Sequence, residues 1–85
     1  MKHIAFTPEA FKEYNDWFDT DKQMIPRIKV LIREINIDAF KGTGKPEPLK
    51  GNWKGYWSRR INQEHRLIYK VTDDHILIVK CKGHY

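Results

Sequence analysis

The second half of the chain carries a glutamate, two arginines and a histidine that could together act on a phosphodiester: Glu47, Arg60, Arg66 and His84. Cleavage of RNA through its own 2′-hydroxyl needs a base for that hydroxyl, cations for the phosphate and an acid for the departing 5′-oxygen. Glu47 can be the base and His84 the acid, while an arginine holds a phosphate with a bidentate fork and no proton loss. Nothing in this chemistry requires a metal or another cofactor, and we expect none.

The two arginines lie in a predicted hairpin, residues 55–71. Apolar and polar residues alternate on either side of Asn62-Gln63-Glu64, which predicts two strands and a turn. Pairing Arg59 with Arg66 would separate the apolar sides, whereas pairing Arg60 with Arg66 keeps them on one face. We predict the second register. It sets like charges side by side on the open face of the sheet, where an anion such as phosphate would relieve their repulsion.

Glu47 lies in the only long segment with neither helical nor strand periodicity, residues 38–52. Glycines and prolines predict a loop, and loops of this length in small domains are often functional. Pro46 and Pro48 flank Glu47 with fixed φ angles, so its carboxylate should be presented rigidly, with Lys45 and Lys50 close by. The alternative is a proline-stiffened crossing loop whose charges only face solvent.

The first part of the chain predicts a strand and a helix. Residues 2–6 alternate as a short strand does, and Thr7-Pro8 can cap and start a helix that reaches about Phe18. The bulky residues of this helix recur at spacings of three and four, so we expect them in the core: Phe11, Tyr14, Trp17 and Phe18.

A second amphipathic helix is predicted from near Ile25 to about Asn36. Pro26 lies close to its start, and an interior proline would remove a hydrogen bond and clash with the preceding turn. The regular helix therefore either begins near Ile25 or is kinked there. Two helices joined by a few residues should pack as an antiparallel hairpin against one face of the sheet.

The last strand is predicted from a nearly continuous apolar run at 75–81, typical of an interior strand. Ile76 and Ile78 take one parity, and if the alternation survives Gly83, His84 falls on the open face with the paired arginines. Three residues take the other parity and are expected in the core: Leu77, Val79 and Cys81.

These elements predict an α+β fold with the order β-α-α-β-β-β, a mainly antiparallel sheet and two helices packed on one face. Eighty-five residues suffice for a single domain, which we expect to cover residues 1–85. The face of the sheet away from the helices should be basic.

The charge balance favours an anionic partner. The formal net charge is +5, which favours nucleic acid first and a membrane surface second, although a basic but indifferent surface is the alternative. Apolar runs do not reach transmembrane length, and residues 1–8 lack the apolar stretch of a signal peptide. With one cysteine, the chain cannot form an internal disulfide and suits a reducing compartment. We expect a soluble cytoplasmic protein that does not bind a membrane.

Cys81 offers two other chemistries, and both are weak. Cys81 and His84 have the spacing of half a zinc site, but no second pair of ligands is present. Cys81 with a histidine could act as a nucleophile, yet its parity favours a small core residue. Three aromatic side chains could stack on an unpaired base or serve only for packing: Trp53, Tyr56 and Tyr85.

Four sequence segments closely resemble the Txe/YoeB branch of the RelE-like bacterial toxins, and the similarity spans essentially the whole chain. They are Lys45-Pro-Glu-Pro-Leu-Lys50, Gly55-Tyr-Trp-Ser-Arg-Arg-Ile61, Glu64-His-Arg-Leu-Ile-Tyr69 and the terminal His84-Tyr85. The resemblance implies a RelE-like fold and a ribosome-dependent mRNA endonuclease of a type II toxin–antitoxin system. It implies action in the decoding site of the 70S ribosome, neutralisation by a YefM-like antitoxin, and a homodimer as an option.

The resemblance also assigns roles to single residues. Glu47 matches the family's general base, His84 its general acid and Arg66 its phosphate-stabilising arginine. Lys50, Arg60 and Tyr85 match positions that support substrate binding or the geometry of the site. The alternative is a non-catalytic module that inhibits a target with the same basic face, as the fold-related ParE toxins are understood to do. A pure binder needs the arginines but neither Glu47 nor a terminal histidine, so the enzyme is favoured.

Overall fold

In a computed structural model, which describes residues 2–83, two helices cover one face of a five-stranded sheet. The strands are β1 (His3–Phe6), β2 (Glu47–Pro48), β3 (Trp57–Arg60), β4 (Arg66–Val71) and β5 (His75–Lys80). The helices are α1 (Pro8–Thr20) and α2 (Met24–Ile37). The strand order across the sheet is β1-β5-β4-β3-β2, with β1 parallel to β5 and the other neighbours antiparallel. The predicted α+β fold is confirmed, with β2 as an additional short strand.

Both helices begin where the sequence predicts. The Thr7 hydroxyl caps α1 by accepting a hydrogen bond from the Ala10 N–H at 3.2 Å, and Pro8 is the first helical residue. Pro26 is the third residue of α2, within the first turn, where backbone N–H groups have no partner inside the helix. The proline therefore removes no helical hydrogen bond. Within residues 2–83, no helix has the length and apolarity needed to cross a membrane.

Only part of the aromatic set of α1 reaches the core. Trp17 is buried and Tyr14 is half-buried, but Phe11 and Phe18 are 56% and 43% exposed. The prediction that Phe11 and Phe18 belong to the core is wrong, because the apolar stripe of the helix is wider than its contact with the sheet. The two rings pack instead against Phe6 and Tyr14, at centroid distances of 6.2 and 5.7 Å.

The pairing of β3 with β4 has the predicted register. Arg60 lies opposite Arg66, and Trp57 lies opposite Tyr69. Leu67 and Tyr69 are fully buried in the core between sheet and helices. The apolar parity of the hairpin thus identified the correct register, since any slip by one residue would have exposed these side chains.

The predicted alternation of β5 is wrong in the first part of the strand. Ile76 and Ile78 belong to the core, whereas Leu77 and Val79 are only partly buried. The sequence here is a nearly continuous apolar run, so the error could not be recognised from the pattern itself. It comes from an irregularity in the pairing with β4.

A bulge in β5 explains this reversal. Tyr69 pairs with Ile78, but the preceding residue, Ile68, pairs with Lys80, which leaves Val79 as an extra residue in β5. One inserted residue exchanges the faces of all residues on one side of it. The parity predicted from the end of the strand was therefore right beyond the bulge and inverted before it.

The face of the sheet away from the helices is not open everywhere. Ser58 and Ile68 face away from the main core, yet they are 2% and 0% exposed. Arg60, two residues along β3 from Ser58, is exposed. The basic face expected from the sequence is therefore limited to the ends of these strands and does not include their centre.

The segment predicted as a loop, residues 38–52, contains two short regular elements. Glu47 and Pro48 form β2 by pairing with Ser58 and Trp57, and Gly51–Trp53 forms a single 3-10 turn. A proline is tolerated in β2 because this strand lies at the edge of the sheet. Because Glu47 belongs to the sheet, its Cα has a fixed position relative to β3, which a merely crossing loop would not give.

Arg59 ties the start of the same segment to the sheet. Its side chain is fully buried, and its Nε donates a hydrogen bond to the Tyr69 hydroxyl at 3.2 Å. The Tyr69 hydroxyl in turn donates to the Ala39 carbonyl at 2.6 Å. The Arg59 Nη atoms donate to three carbonyl oxygens, those of Asp38 at 2.6 Å, Lys41 at 2.9 Å and Thr43 at 3.2 Å.

Two further contacts hold this loop. The Glu34 carboxylate accepts a hydrogen bond from the Thr43 N–H at 3.1 Å, and this bond is the main reason why the pKa of Glu34 is lowered. Gly44 has a φ of +88°, and its carbonyl accepts the Arg60 N–H at 2.6 Å. A Cβ at Gly44 would lie 2.9 Å from the Arg60 carbonyl oxygen, so only glycine permits this approach of loop and strand.

Arg59→Met should destabilise the protein because it leaves the Tyr69 hydroxyl and the loop carbonyls without their donor. We expect a loss of about 2–4 kcal/mol in the free energy of unfolding, measured by urea denaturation. Arg60→Met is the matched control: Arg60 is exposed, and its loss should change stability by less than about 0.5 kcal/mol. Equal midpoints for the two variants would contradict the role given to Arg59.

Cys81 is a core residue, as its parity predicted. It is fully buried, and its thiol lies 3.5 Å from the Ala10 carbonyl oxygen, to which it donates. Burial, with a smaller contribution from the Glu13 carboxylate, raises the pKa of Cys81 to about 12. The thiol is therefore neutral at physiological pH, which argues against a nucleophilic role.

The reactivity of Cys81 should reflect this burial. At pH 8, iodoacetamide should label the native protein far more slowly than the urea-unfolded protein, as followed by mass spectrometry, and Cys81→Ser should stay unlabelled in both states. Because burial raises the pKa of Cys81 in the folded state, the neutral thiol contributes fully to the free energy of unfolding below the ordinary pKa of a thiol. That stability should fall as the pH rises towards about 12. Equal labelling rates in both states would contradict the buried, neutral thiol.

Candidate active site

Glu47 and Arg60 lie on the same face of the sheet. Glu47 pairs with Ser58 across β2 and β3, and directly opposed residues point to the same side. Ser58 and Arg60 are two residues apart on β3, so they also share that side. Both the Glu47 and the Arg60 side chains are exposed. The structure thus brings together the carboxylate and one of the arginines that the sequence suggested.

Arg66 faces the same side because it lies directly opposite Arg60. It is half-buried, and its guanidinium is fixed by the hairpin turn. Its Nη1 donates to three backbone carbonyls, those of Asn62 at 2.9 Å, Gln63 at 3.0 Å and His65 at 3.1 Å. None of the hydrogen bonds within residues 2–83 uses its Nε or Nη2. The turn therefore orients the guanidinium through Nη1, and the other edge, formed by Nε and Nη2, is the one that can bind an oxyanion with two parallel N–H groups.

The register also sets the spacing of this group. Glu47 and Arg66 are two strands apart laterally and two residues apart along the strands, which corresponds to about 12 Å between Cα atoms. Long side chains from both positions can reach a phosphodiester placed between them. A carboxylate on one side of a phosphate and guanidinium groups on the other are suited to proton abstraction and to stabilisation of negative charge.

Lys50 and an aromatic pair lie next to this group along the chain. Lys50 is exposed and directly precedes the 3-10 turn. Trp53 and Tyr56 are half-buried and contact each other edge to face, with ring centroids 5.3 Å apart. The Lys70 ammonium lies 5.4 Å from the centroid of the Tyr56 ring. These rings therefore pack on one another, and each keeps part of its surface accessible to a base.

The predicted acid, His84, and the predicted substrate-binding Tyr85 lie outside the described residues. The chain leading to them is described as far as Gly83, whose carbonyl accepts a hydrogen bond from the Arg66 N–H at 3.0 Å. Gly83 is thus hydrogen-bonded to β4 at Arg66, one of the paired arginines.

The structural roles of two residues in this region, Arg59 and His65, were not identified from the sequence. The alternation of the hairpin places Arg59 on the core side, which was a usable signal, since a buried arginine requires acceptors from another segment. His65 is half-buried, and its Nδ1 accepts the Gly83 N–H at 2.7 Å. The sequence carries no local sign of that second contact, because the two residues are far apart in the chain.

A metal site finds no support in the described part of the chain. Within residues 2–83, the His, Cys, Asp and Glu side chains form no group of three or more that could hold a metal ion. Cys81, the residue that suggested half a zinc site, is buried and hydrogen-bonded in the core.

Known proteins resemble this chain over its full length. A toxin YoeB of Streptomyces coelicolor is 51% identical over 82 residues, which are 96% of this chain and 98% of that protein. The solved structure of a YoeB dimer from Staphylococcus aureus is 49% identical, with a TM-score of 0.92 over 99% of this chain and 98% of that chain. A heterotetrameric YoeB–YefM toxin–antitoxin complex from the same organism contains a chain that is also 49% identical, with a TM-score of 0.90 over 100% of this chain and 99% of that chain.

The model of one protein family matches residues 6–85, a span that contains every predicted site residue. That family is described as the YoeB-like toxin of bacterial type II toxin–antitoxin systems. The fold of the chain, with its two helices and mixed five-stranded sheet, is accordingly RelE-like. On the family match and the full-length similarity together, the chain belongs to the YoeB-like toxins of bacterial type II toxin–antitoxin systems.

Proposed function

We propose that this toxin is a ribosome-dependent endoribonuclease that cleaves mRNA in the ribosomal A site and thereby inhibits translation. The observation that carries the proposal is the strand register, which sets Glu47, Arg60 and Arg66 on one face across three adjacent strands. A site that only binds RNA needs cations alone. A carboxylate on the same face adds a group that can remove a proton from a hydroxyl, which cleavage needs and binding alone does not.

Cleavage proceeds by attack of the RNA on itself. Glu47 removes the proton of the 2′-hydroxyl, the 2′-oxygen forms a bond to phosphorus, and the bond from phosphorus to the 5′-oxygen breaks. His84 gives a proton to the departing 5′-oxygen. The products are a 2′,3′-cyclic phosphate upstream, which can open to a 3′-phosphate, and a 5′-hydroxyl downstream. Arg66 stabilises the negative charge on the phosphate during this step.

The remaining site residues bind and align the substrate. Arg60 supplies the second guanidinium beside Arg66, and Lys50 adds positive charge near Glu47. Tyr85 supports the substrate next to the acid. No step uses a metal or an organic cofactor, because the leaving oxygen is protonated by a side chain and the charge on the phosphate is balanced by arginines.

The partners of this toxin follow from its relatives and from its charge. The Staphylococcus aureus relative occurs as a dimer and in a complex with YefM. We propose a YefM-like antitoxin for this chain, acidic enough to cover its basic face, and a homodimer as a further assembly. Ribosomes with bound mRNA are the target, so the toxin acts in the cytoplasm.

Glu47→Gln should abolish most of the activity because an amide cannot accept the proton of the 2′-hydroxyl. We expect the cleavage rate on mRNA-programmed ribosomes to fall by about 100- to 10,000-fold, measured by primer extension to the new 5′ ends. Glu9→Gln is the matched control, since Glu9 is an exposed glutamate in the first turn of α1 and should not affect the rate. Wild-type cleavage by Glu47→Gln would remove Glu47 from catalysis.

The same assay separates the enzyme from a binding-only inhibitor. If expression of the wild-type toxin arrests translation while the mRNA stays intact, the basic face inhibits by binding alone and the endonuclease proposal fails. New 5′ ends that appear only with wild type and Glu9→Gln support the enzyme.

Deletion of His84 and Tyr85 should abolish cleavage and leave the fold intact, because both residues follow the last strand, β5, which ends at Lys80. The full-length variant His84→Gln should show the same loss, which controls for removal of the chain end. Thermal denaturation should give melting temperatures close to that of the wild type for both variants. Cleavage retained by either variant would show that His84 is not the acid.

A further inference from the structure

His65 is the point where the end of the chain is fixed to the hairpin. Its Nδ1 accepts a hydrogen bond from the Gly83 N–H at 2.7 Å, and the next residue, Arg66, donates its own N–H to the Gly83 carbonyl at 3.0 Å. The two groups of Gly83 that can form hydrogen bonds are thus held by two consecutive residues. Gly83 has a φ of +80°, so the chain also takes a left-handed turn at this position.

The residues before Gly83 are held by α1. The Cys81 N–H donates to the Glu13 carboxylate at 2.8 Å, and the Trp17 indole N–H donates to the Cys81 carbonyl at 2.9 Å. The Trp17 ring also contacts the His65 ring edge to face, at a centroid distance of 4.8 Å. Helix, hairpin and chain end therefore meet at His65.

The bond to Gly83 indicates which nitrogen of the neutral ring carries the proton. A nitrogen that accepts an N–H carries no proton, so the neutral ring has its proton on Nε2. The Glu64 carboxylate lies on that side, 3.6 Å from Nε2. The hairpin turn also supports the His65 backbone, since its N–H donates to the Asn62 side-chain oxygen at 2.7 Å. His65 is thus held in the orientation that keeps Nδ1 directed at Gly83.

We propose that His65 is a positioning residue for the general acid: by holding Gly83, it fixes the point from which the His84 side chain reaches the departing 5′-oxygen. The inference rests on the proposed function, in which His84 is that acid. Arg66 directly follows His65 in the chain, and both residues bond to Gly83. The residue that precedes the acid is therefore held by His65 and by the same arginine that stabilises the phosphate. Small displacements of a reacting group cost a large part of the rate, so these bonds matter for catalysis.

Two substitutions separate the hydrogen bond of His65 from its packing. His65→Phe keeps a ring against Trp17 but has no acceptor for the Gly83 N–H. His65→Asn loses the ring but keeps an oxygen at the position of Nδ1. If positioning through Gly83 is the function of His65, the Asn variant should retain more activity than the Phe variant, although it loses more packing.

The test is cleavage of mRNA on programmed ribosomes by the full-length toxin under saturating conditions. His65→Phe should lower kcat by about 100-fold and leave the half-saturating ribosome concentration unchanged, because substrate binding residues are intact. The same loss should vanish on an mRNA with a bridging sulfur in place of the 5′-oxygen at the mapped cleavage position. Its leaving group departs as a thiolate and needs no acid, so His84→Ala should be rescued in the same way.

The outcomes distinguish this inference from the proposed function. If wild type does not cleave, or His84→Ala cleaves normally, the proposed function fails. If His84→Ala is inactive and rescued by sulfur while His65→Phe has the wild-type rate, only the positioning role fails. A loss in His65→Phe that persists on the sulfur substrate, or that adds fully to the loss in His84→Ala, also overturns it.

Thermal denaturation of each variant checks that the loss is not simple unfolding. Should His65→Phe be unfolded at the assay temperature, His65→Gln replaces it, because its amide reaches the position of Nε2 and leaves Nδ1 empty. His65→Gln should then show the same loss on normal mRNA and the same rescue by sulfur, and wild-type cleavage by this variant would overturn the proposal.

Discussion

The buried guanidinium of Arg59 is the interaction on which the arrangement of this molecule depends. A charge inside a small protein is costly unless every donor finds an acceptor, and here the acceptors are one tyrosine hydroxyl and three loop carbonyls. Those carbonyls converge only if the chain from Asp38 to Thr43 takes one conformation. The need to satisfy Arg59 therefore selects that conformation, and it fixes the start of the segment that delivers Glu47 to the sheet edge.

The adjacent residues Arg59 and Arg60 place their charges on opposite faces of the sheet. Arg59 points to the core and organises the loop, whereas Arg60 points to the opposite face beside Arg66. The repulsion between Arg60 and Arg66 is moderated because Arg66 is turned towards the carbonyl dipoles of the hairpin turn. The hairpin turn thus holds Arg66 in place through Nη1 alone, while Arg60 beside it is exposed.

Much of this arrangement could be predicted because it follows from local periodicity. The Thr7 cap, the approximate start of each helix and the alternation of the hairpin follow from neighbouring residues. The register that pairs Arg60 with Arg66 is the one that keeps the apolar side chains buried. That register and the pairing of Glu47 with Ser58 place three of the predicted site residues on one face: Glu47, Arg60 and Arg66. The sequence also suggested the role of Glu47, although the strand that holds it was taken for a loop, since two paired residues leave no periodic pattern.

The features that could not be predicted all involve residues that are distant in the chain. The bulge at Val79 inverts the predicted faces of β5, and it could not be predicted because a nearly continuous apolar run gives no sign of one extra residue in the pairing with β4. Likewise, the sequence gives no partner for the His65 ring, because its bond to Gly83 joins residues 18 positions apart in the chain. The bulge and this bond have a common consequence. Beyond Val79, Cys81 returns to the core and Gly83 reaches the hairpin, so the tail is bonded to α1 and β4 just before the proposed acid. The positions of Glu47 and the paired arginines depend on the sheet register, whereas the chain that leads to the proposed acid depends on a few specific hydrogen bonds to Cys81 and Gly83.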